Sequence, residues 1–195
     1  MSKVGIHHLG FASTDYEGTV DFYTRVMGWP IAWQDQHSDP ENGTELIRHV
    51  FFNAGDGLFV AFICSVPGST LLPEKWATDI NSGLGLPVGV YHFAFSLESE
   101  EDLETRRREM TARGAEVSAV VDHGWCKSIY FRDPVNDLML EFAVQSRAFN
   151  EDDKLLKPRP QPGIDSANPE EIERSARIMG VPAEAFHQRR ELKTS

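Results

Sequence analysis

The sequence predicts an α+β fold in which paired βαβββ modules form a curved mixed sheet cleft, followed by a C-terminal helical tail. A short strand pattern with a histidine at one register occurs twice, over residues 5–11 with His8 and over residues 89–95 with His92. The strand and helix signals after each copy come in the same order. Two like modules that each direct an imidazole toward a shared centre explain both observations. The simplest occupant of that centre is a metal.

The first module is predicted over about residues 3–66. Alternating polar and apolar side chains predict a strand over residues 3–12. A helix over residues 15–27 follows, because apolar side chains recur on one helical face and Gly28 is placed to terminate it. Three further strands are predicted at about residues 31–37, 48–53 and 58–65, the last two joined by a hairpin-type turn.

The second module, over about residues 88–145, repeats this order. A strand is predicted over residues 90–97. A helix over residues 99–113 is capped by Ser99 and stopped at Gly114. The remaining strands are predicted near residues 116–121, 127–131 and 138–144.

Two segments lie outside the modules. The linker, residues 67–87, is rich in Gly and Pro and carries a short helical candidate around residues 74–79 that can form one wall of a pocket. Residues 146–195 combine a proline-rich stretch with two short helix signals, one of them closed by Gly180. We therefore divide the chain into a domain over residues 1–145 and a C-terminal extension over residues 146–195. We expect the extension to be a surface tail that packs on its own or a neighbouring subunit, and we assign it no chemistry.

The composition is that of an ordinary globular protein. Hydrophobic residues make up 41% and charged residues 25% of the 195 residues, and no apolar run is long enough to cross a bilayer. The formal net charge of −11 disfavours nucleic acid or a membrane surface as partner, because phosphate would be repelled. Cys64 and Cys126 are too few for a disulfide scaffold, and the first residues lack the apolar core of a secretory signal. We expect a cytoplasmic protein that forms a homo-oligomer.

Three side chains are candidate metal ligands. Because neighbouring side chains of a strand point to opposite faces, His8 shares a face with Gly10, and His92 has the same register in the second module. Glu141 interrupts an apolar strand, where an unpaired charge is costly, so it needs a cation or a strong donor. The equivalent position of the first module is Ala61, so the duplication supplies no fourth ligand. Two imidazoles and one carboxylate are typical of non-haem Fe(II) oxygen chemistry, although Mn, Co, Ni or Zn also suit these ligands.

Four short motifs resemble, in their order and spacing, the vicinal oxygen chelate superfamily over about residues 4–144. They are HLGF at 8–11 followed by DFY at 21–23, then HFAF at 92–95, and IYFRDP at 129–134 leading to Glu141 and Phe142. The resemblance implies two βαβββ modules whose curved sheets form a cleft around a divalent metal. It also implies that His8, His92 and Glu141 are the metal ligands.

Within that superfamily, the His-His-Glu set and the segment 123–131 are most similar to type I extradiol ring-cleaving dioxygenases. This resemblance implies Fe(II), O2 and a small catecholic diol as substrate, with Tyr130 near a substrate hydroxyl. His123 is our candidate acid/base, because an ordinary imidazole has a pKa of about 6.5. Each residue also has a plainer interpretation, Tyr130 as a core aromatic and His123 as a loop histidine without a role.

Three features depart from the extradiol pattern. The turn 133–137 lacks the usual glycine and is one residue longer, no histidine occurs between Cys64 and Tyr91, and the chain has a single pair of modules. Other functions therefore stay open. A metal-dependent glyoxalase or epimerase usually has a fourth ligand where Ala61 lies. A fosfomycin-type thiol transferase uses the same ligand types, and a bleomycin-resistance-like protein binds a drug without needing a metal.

Aromatic side chains can furnish the apolar cleft that such a substrate requires. The candidates are Phe52, Phe59, Trp76, Phe93 and Trp125. Core packing explains most of them equally well, and the sequence does not identify the substrate.

Overall fold

The computed structural model describes residues 5–69, 71–73, 75–158 and 161–188. The predicted α+β class is confirmed, and both modules have the βαβββ order. The strands are β1 (His8–Ser13), β2 (Ile31–Ser38), β3 (Glu45–Gly55), β4 (Leu58–Ser65), β5 (Phe93–Ser96), β6 (Val121–Asp122), β7 (Cys126–Arg132), β8 (Met139–Gln145), β9 (Gly163–Ile164) and β10 (His187–Gln188). The α-helices are α1 (Tyr16–Asp21), α2 (Ile80–Leu84), α3 (Glu100–Ala112) and α4 (Pro169–Met179). A π-helical segment (Phe22–Val26) continues α1, and short 3₁₀ helices occupy Glu151–Lys154 and Ala183–Ala185.

Some bounds differ from the predicted ones. The first strand begins at His8, and residues 3 and 4 of the predicted strand lie outside the described residues. In place of a strand over residues 116–121 there is an isolated bridge at Val117 and the two-residue β6. Residues 159–160 and 189–195 of the extension also lie outside the described residues.

The described chain divides into two compact units. Unit 1 comprises the chain up to Gly85 together with Asp133–Leu138, and unit 2 comprises Leu86–Arg132 and the chain from Met139 onward. Each unit contains one open mixed sheet, with the strand order β1-β4-β3-β2 in unit 1 and β10-β9-β6-β7-β8-β5 in unit 2. Within the described ranges, no helix is long and apolar enough to span a membrane.

One face of the unit 1 sheet packs on the helical segment that follows β1. Asp15 caps the start of this segment by accepting a hydrogen bond from a backbone N–H of its first turn. The chain leaves the segment at Gly28, which has a φ of 70°, as predicted. The buried Tyr23 ring packs on Phe52 and Phe62, with ring centroids 5.1 and 4.9 Å away. Phe52 therefore belongs to the core and not to a cleft.

The turn between β7 and β8 belongs to unit 1. Its Asp133 is fully buried and accepts a hydrogen bond from the Tyr23 hydroxyl at 3.2 Å, while Asn136 donates to both Asp133 and Thr19. Asp137 has a φ of 62°, in the left-handed region that glycine usually occupies. Asp137 thus adopts the left-handed conformation in a turn that lacks the usual glycine.

The linker helix begins later than predicted. Asp79 caps α2 by accepting a hydrogen bond from the Ser82 backbone N–H, and Gly85 ends the helix with a φ of 68°. Residues 75–79 are not helical, and residue 74 lies outside the described residues. Trp76 and Asp79 nevertheless border a cavity of unit 1, so the linker does form a pocket wall.

One face of the unit 2 sheet packs on α3. Ser99 caps this helix, as predicted, by accepting a hydrogen bond from the Asp102 backbone N–H. The Arg106 guanidinium lies 5.3 Å from the centre of the Phe142 ring of β8. Because strand side chains alternate, Glu141 points to the opposite face of β8 from Phe142. That opposite face carries the candidate site.

The C-terminal extension is not the surface tail that we predicted. Its β9 pairs antiparallel with β6, and its β10 pairs with β9, so the extension adds two strands to the unit 2 sheet. Its buried side chains Ile164, Ile172, Ala176, Ile178 and Phe186 form one cluster with Ala119, Val121, Tyr130 and Met139. Full burial of one large apolar side chain stabilises a fold by about 1.5–3 kcal/mol. The extension is therefore part of the unit 2 core, while a domain boundary at residue 145 stays a prediction.

Candidate metal centre

Glu141 is a buried carboxylate on the middle of β8. Its Oε1 accepts a hydrogen bond of 2.5 Å from the Ser128 Oγ of β7, and its Oε2 lies 3.2 Å from the Nε2 of His92. Burial alone would raise the pKa of Glu141, but the hydrogen bonds from His92 and Ser128 outweigh it, and the pKa is lowered. The carboxylate is therefore ionised at neutral pH, which is the form that binds a metal.

His92 directly precedes β5 and is held by its own backbone turn. Its Nδ1 donates to the Gly89 carbonyl at 3.0 Å, so Nε2 faces Glu141. The protonated ring donates its Nε2–H to the carboxylate, and loss of that proton would free the Nε2 lone pair for a metal. The hydrogen bond with Glu141 raises the pKa of His92 above its ordinary value. A backbone carbonyl on the second ring nitrogen is the usual partner of a metal-binding histidine.

These two donors fit neighbouring positions around a divalent cation. Two donor atoms about 2.1 Å from one ion, at right angles to each other, are about 3 Å apart. The 3.2 Å between His92 Nε2 and Glu141 Oε2 agrees with that spacing. Unit 2 thus brings together two of the three predicted ligands.

His8, the third predicted ligand, lies in unit 1. Its exposed imidazole opens β1, contacts the ring of Phe51 with centroids 5.5 Å apart, and borders a cavity of 740 Å³. Among the residues that the structure describes, no three His, Cys, Asp or Glu side chains are grouped so that they could hold a metal. The complete His8, His92 and Glu141 set therefore stays a prediction.

The strand register supports the internal alignment of the two modules. In unit 1, parallel pairing of β1 with β4 places Gly10 opposite Ala61. In unit 2, parallel pairing of β5 with β8 places Ala94 opposite Glu141. His8 and His92 each precede the first residue of these pairs by two positions. Ala61 is therefore the equivalent of Glu141, and unit 1 has no carboxylate at this position.

The two predicted catalytic residues contact each other. The Nε2 of His123 and the hydroxyl of Tyr130 are 3.0 Å apart, and Tyr130 lies directly across the β7–β8 ladder from Glu141. Burial, and next the nearby Glu141 charge, raise the pKa of Tyr130 well above its ordinary value, so its hydroxyl stays protonated at neutral pH. This geometry is compatible with proton transfer, and the catalytic roles of both residues stay predictions.

One cavity of unit 2, with a volume of about 680 Å³, is bordered by four predicted site residues: His92, His123, Tyr130 and Glu141. Its other walls are largely apolar and include Trp125, one of the predicted cleft aromatics, and Met139. Glu141 is the sole carboxylate, and neither Lys nor Arg occurs, among the described residues that line it. The cavity is therefore suited to a neutral or apolar molecule that presents polar atoms to Glu141 and Tyr130.

Sequence reasoning missed Ser128 and the whole contribution of the extension. Ser128 lies two residues before Tyr130 on β7, so strand alternation places both on the face of Glu141, and this signal was present in the sequence. The extension supplies Val181 and Phe186 to the cavity, but its helices carry no motif that points to a site.

We expect Ser128→Ala to weaken divalent metal binding by about 10- to 100-fold, because supporting hydrogen bonds orient a ligating carboxylate. Competition with a chromogenic chelator measures the affinity. Ser96→Ala, an exposed serine on β5, is the matched control and should retain wild-type affinity. Equal affinities for the two variants would show that Ser128 does not position Glu141.

The sequence profile of the Glyoxalase/Bleomycin resistance protein/Dioxygenase superfamily matches residues 5–142. No curated protein matches significantly. The fold is similar to the glyoxylase/bleomycin resistance protein/dioxygenase domain from Frankia sp. EAN1pec, at 20% identity and a TM-score of 0.56, covering 76% of this chain and 96% of that chain. It is also similar to SMU.1112c, at 19% identity and a TM-score of 0.54, covering 73% of this chain and 99% of that chain. These matches and the two βαβββ modules show that the chain belongs to the Glyoxalase/Bleomycin resistance protein/Dioxygenase superfamily.

Proposed function

We propose that the protein is an Fe(II)-dependent dioxygenase of the extradiol type, which cleaves a small catecholic vicinal diol with O2. One observation carries this proposal. A pair of prospective ligands, His92 and Glu141, and a hydrogen-bonded pair able to move protons, Tyr130 and His123, border the same apolar cavity. A neutral aromatic diol matches both the apolar walls and the two polar pairs.

In this proposal His92 Nε2 and Glu141 Oε2 hold the metal, and His8 completes the set predicted from the sequence. When bound, Fe(II) would supply the Lewis acidity and the redox chemistry that bring a diol and O2 to one centre. Two imidazoles and a single carboxylate leave coordination positions vacant for both. Ala61, at the position equivalent to Glu141, adds no side-chain oxygen that would fill one of them.

Tyr130 and His123 have separate tasks in this proposal. The Tyr130 hydroxyl borders the cavity, where its oxygen can accept a hydrogen bond from a substrate hydroxyl while its own proton is donated to His123. Loss of a proton from the diol requires an acceptor, and an imidazole exchanges protons readily near neutral pH. His123, 3.0 Å from that hydroxyl, can take the proton through Tyr130 and return it later.

The lining of the cavity disfavours an anionic substrate. A phosphonate or phosphate would find no cationic side chain beside the metal, because the described lining residues of the unit 2 cavity include neither Lys nor Arg. This favours a neutral diol over the substrate class of a fosfomycin-type thiol transferase. The missing carboxylate at Ala61 disfavours a four-ligand glyoxalase or epimerase.

Anaerobic reconstitution with Fe(II), followed by controlled addition of O2 and a panel of catechols, tests the proposal. We expect one O2 consumed per diol cleaved, with the absorbance of a ring-fission product. Protein loaded with Zn(II) or Ni(II) should be inactive in the same assay, and His37→Ala, a change on the exposed β2, should not alter iron content. Turnover without O2 would indicate an isomerase or lyase, and ligand binding without any metal would indicate a binding protein. Either result would contradict the proposal.

A further inference from the structure

The C-terminal extension forms one whole side of the unit 2 cavity. Its lining residues are Gln161, Pro162, Met179, Val181, Ala185 and Phe186. None of these side chains carries a charge, and Gln161 is the sole polar one. The groups that can react, His92, Glu141, Tyr130 and His123, all come from the module strands and turns. The module of unit 2 thus supplies the reactive groups of the cavity, and the C-terminal extension supplies an uncharged wall.

This side of the cavity is a fixed wall. Helix α4 buries Ile172, Ala176 and Ile178 in the unit 2 core. Its Glu171 accepts hydrogen bonds from Ser166 and from Arg107 of α3, at 2.6 and 2.9 Å. Apolar packing and a half-buried ion pair thus both anchor α4 to the rest of unit 2.

The wall is also in close contact with the turn that holds His92. Gly180 ends α4 with a φ of 65°, and a Cβ built on it would lie 2.9 Å from the Val88 Cβ. A Cβ on Gly89 would lie 3.5 Å from the Met179 carbonyl oxygen, and the Gly89 carbonyl accepts the His92 hydrogen bond. The position of the wall is therefore fixed with respect to the prospective metal ligand.

Phe186 is the largest side chain that the wall brings to the cavity. Its ring is 7% exposed and belongs to the apolar cluster that includes Tyr130 and Met139. Ala185, next to it, also lines the cavity. A bulky and a small residue thus stand side by side at this wall.

We propose that the C-terminal extension is the size-selecting wall of the substrate cavity, with Phe186 limiting how large an apolar substituent the substrate carries. The identity of the substrate as a diol rests on the proposed function. The wall itself needs only the cavity. Removing the Phe186 ring should admit larger molecules, and enlarging Ala185 should exclude them.

Cys126 provides a reporter that depends on neither metal nor substrate. It is a free thiol that lines the cavity, and it is 4% exposed. Cys64, the other cysteine, is fully buried in unit 1, and burial raises its pKa to about 12, so it stays unreactive. Methyl and benzyl methanethiosulfonate are neutral thiol reagents of different size. Intact-mass measurements give the rate at which each modifies Cys126.

We expect the methyl reagent to modify wild-type Cys126 faster than the benzyl reagent. Phe186→Ala should lower this rate ratio by about tenfold or more, the scale on which a pocket discriminates by size. Ala185→Leu should raise the ratio, and it tests the wall even where Phe186→Ala fails to fold, since it removes no core atoms. Leu156→Ala, on a fully exposed residue of the extension, is the control and should leave the ratio unchanged.

An unchanged ratio in Ala185→Leu and in folded Phe186→Ala would overturn the proposal, as would an equal change in Leu156→Ala or a Cys126 that the methyl reagent never modifies. A further arm separates this proposal from the proposed function. Catechol and Fe(II), added anaerobically before labelling, should protect Cys126. Lack of protection together with the expected ratios would contradict the diol dioxygenase and leave the size-selecting wall supported.

Discussion

Glu141→Ala is expected to abolish stoichiometric metal binding and all metal-dependent turnover. Glu141 is the one carboxylate among the described residues that line the unit 2 cavity, and its Oε2 lies 3.2 Å from the His92 Nε2. Unit 1 offers Ala61 at the equivalent position and therefore no substitute. We expect the affinity for Fe(II) to fall by more than the roughly 10- to 100-fold that accompanies loss of a supporting hydrogen bond. Bound iron, measured by elemental analysis after anaerobic dialysis, checks this.

Two further variants make the result specific to the charge of this side chain. Glu141→Gln keeps the shape and an oxygen that can accept from Ser128, yet it should also lose metal, because the amide is a much weaker ligand for a divalent cation. Glu100→Gln changes an exposed carboxylate of α3 that is paired with Lys127, and it should bind metal as the wild type does. Circular dichroism should show all three variants folded. Retention of one equivalent of iron by Glu141→Ala would remove this residue from the metal site.

The pairing of His92 with Glu141 is the part of the site that the sequence predicted best, because it follows from the internal duplication. A histidine at the same register in two copies of one strand, and an acidic residue in the last strand of one copy, are visible in the printed chain. The parallel pairing of the first and last strands of each module then places His92 and Glu141 on one face. Because strand alternation has a period of two, a register read from the sequence also fixes the face on which a side chain lies.

The wall of the cavity could not be predicted in this way. Helix α4 has apolar residues on one side, such as Ile172, Ala176 and Met179, and this spacing indicates that the helix packs on something. It does not indicate on what, because the pairing of β9 with β6 involves only two residues on each strand. A strand of two residues is too short to show the alternation that predicts a strand. Contacts between segments distant in sequence therefore decide where α4 packs.

The contacts of the turn after β7 could not be predicted from the sequence either. Its buried Asp133 and Asn136 find partners in Tyr23 and Thr19, more than 100 positions earlier in the chain. A sequence pattern shows the spacing of nearby residues and does not predict hydrogen bonds to partners so distant in the chain. The sequence therefore showed that the turn lacked a glycine, but not that buried hydrogen bonds hold it in place.

His123→Gln is expected to lower kcat by about 10²- to 10⁴-fold, the usual contribution of a positioned acid or base, with iron content and substrate affinity near wild type. The reason is that its Nε2 lies 3.0 Å from the Tyr130 hydroxyl, whereas the prospective ligands His92 and Glu141 contact each other. Tyr130→Phe removes the other end of the same contact and should reduce kcat to a similar extent. Single-turnover measurements with the best catechol of the substrate panel separate this loss from any change in binding.

The double variant His123→Gln with Tyr130→Phe decides whether the two residues act as one relay. If the proton passes from substrate through Tyr130 to His123, removing either residue interrupts the same path, so the double variant should be no slower than the slower single variant. Multiplicative losses would mean that each residue acts on the substrate independently, and the hydrogen bond between them would then be a packing feature. Unchanged kcat in His123→Gln would assign His123 to the plainer role of a loop histidine whose ring only supports the buried Tyr130 hydroxyl.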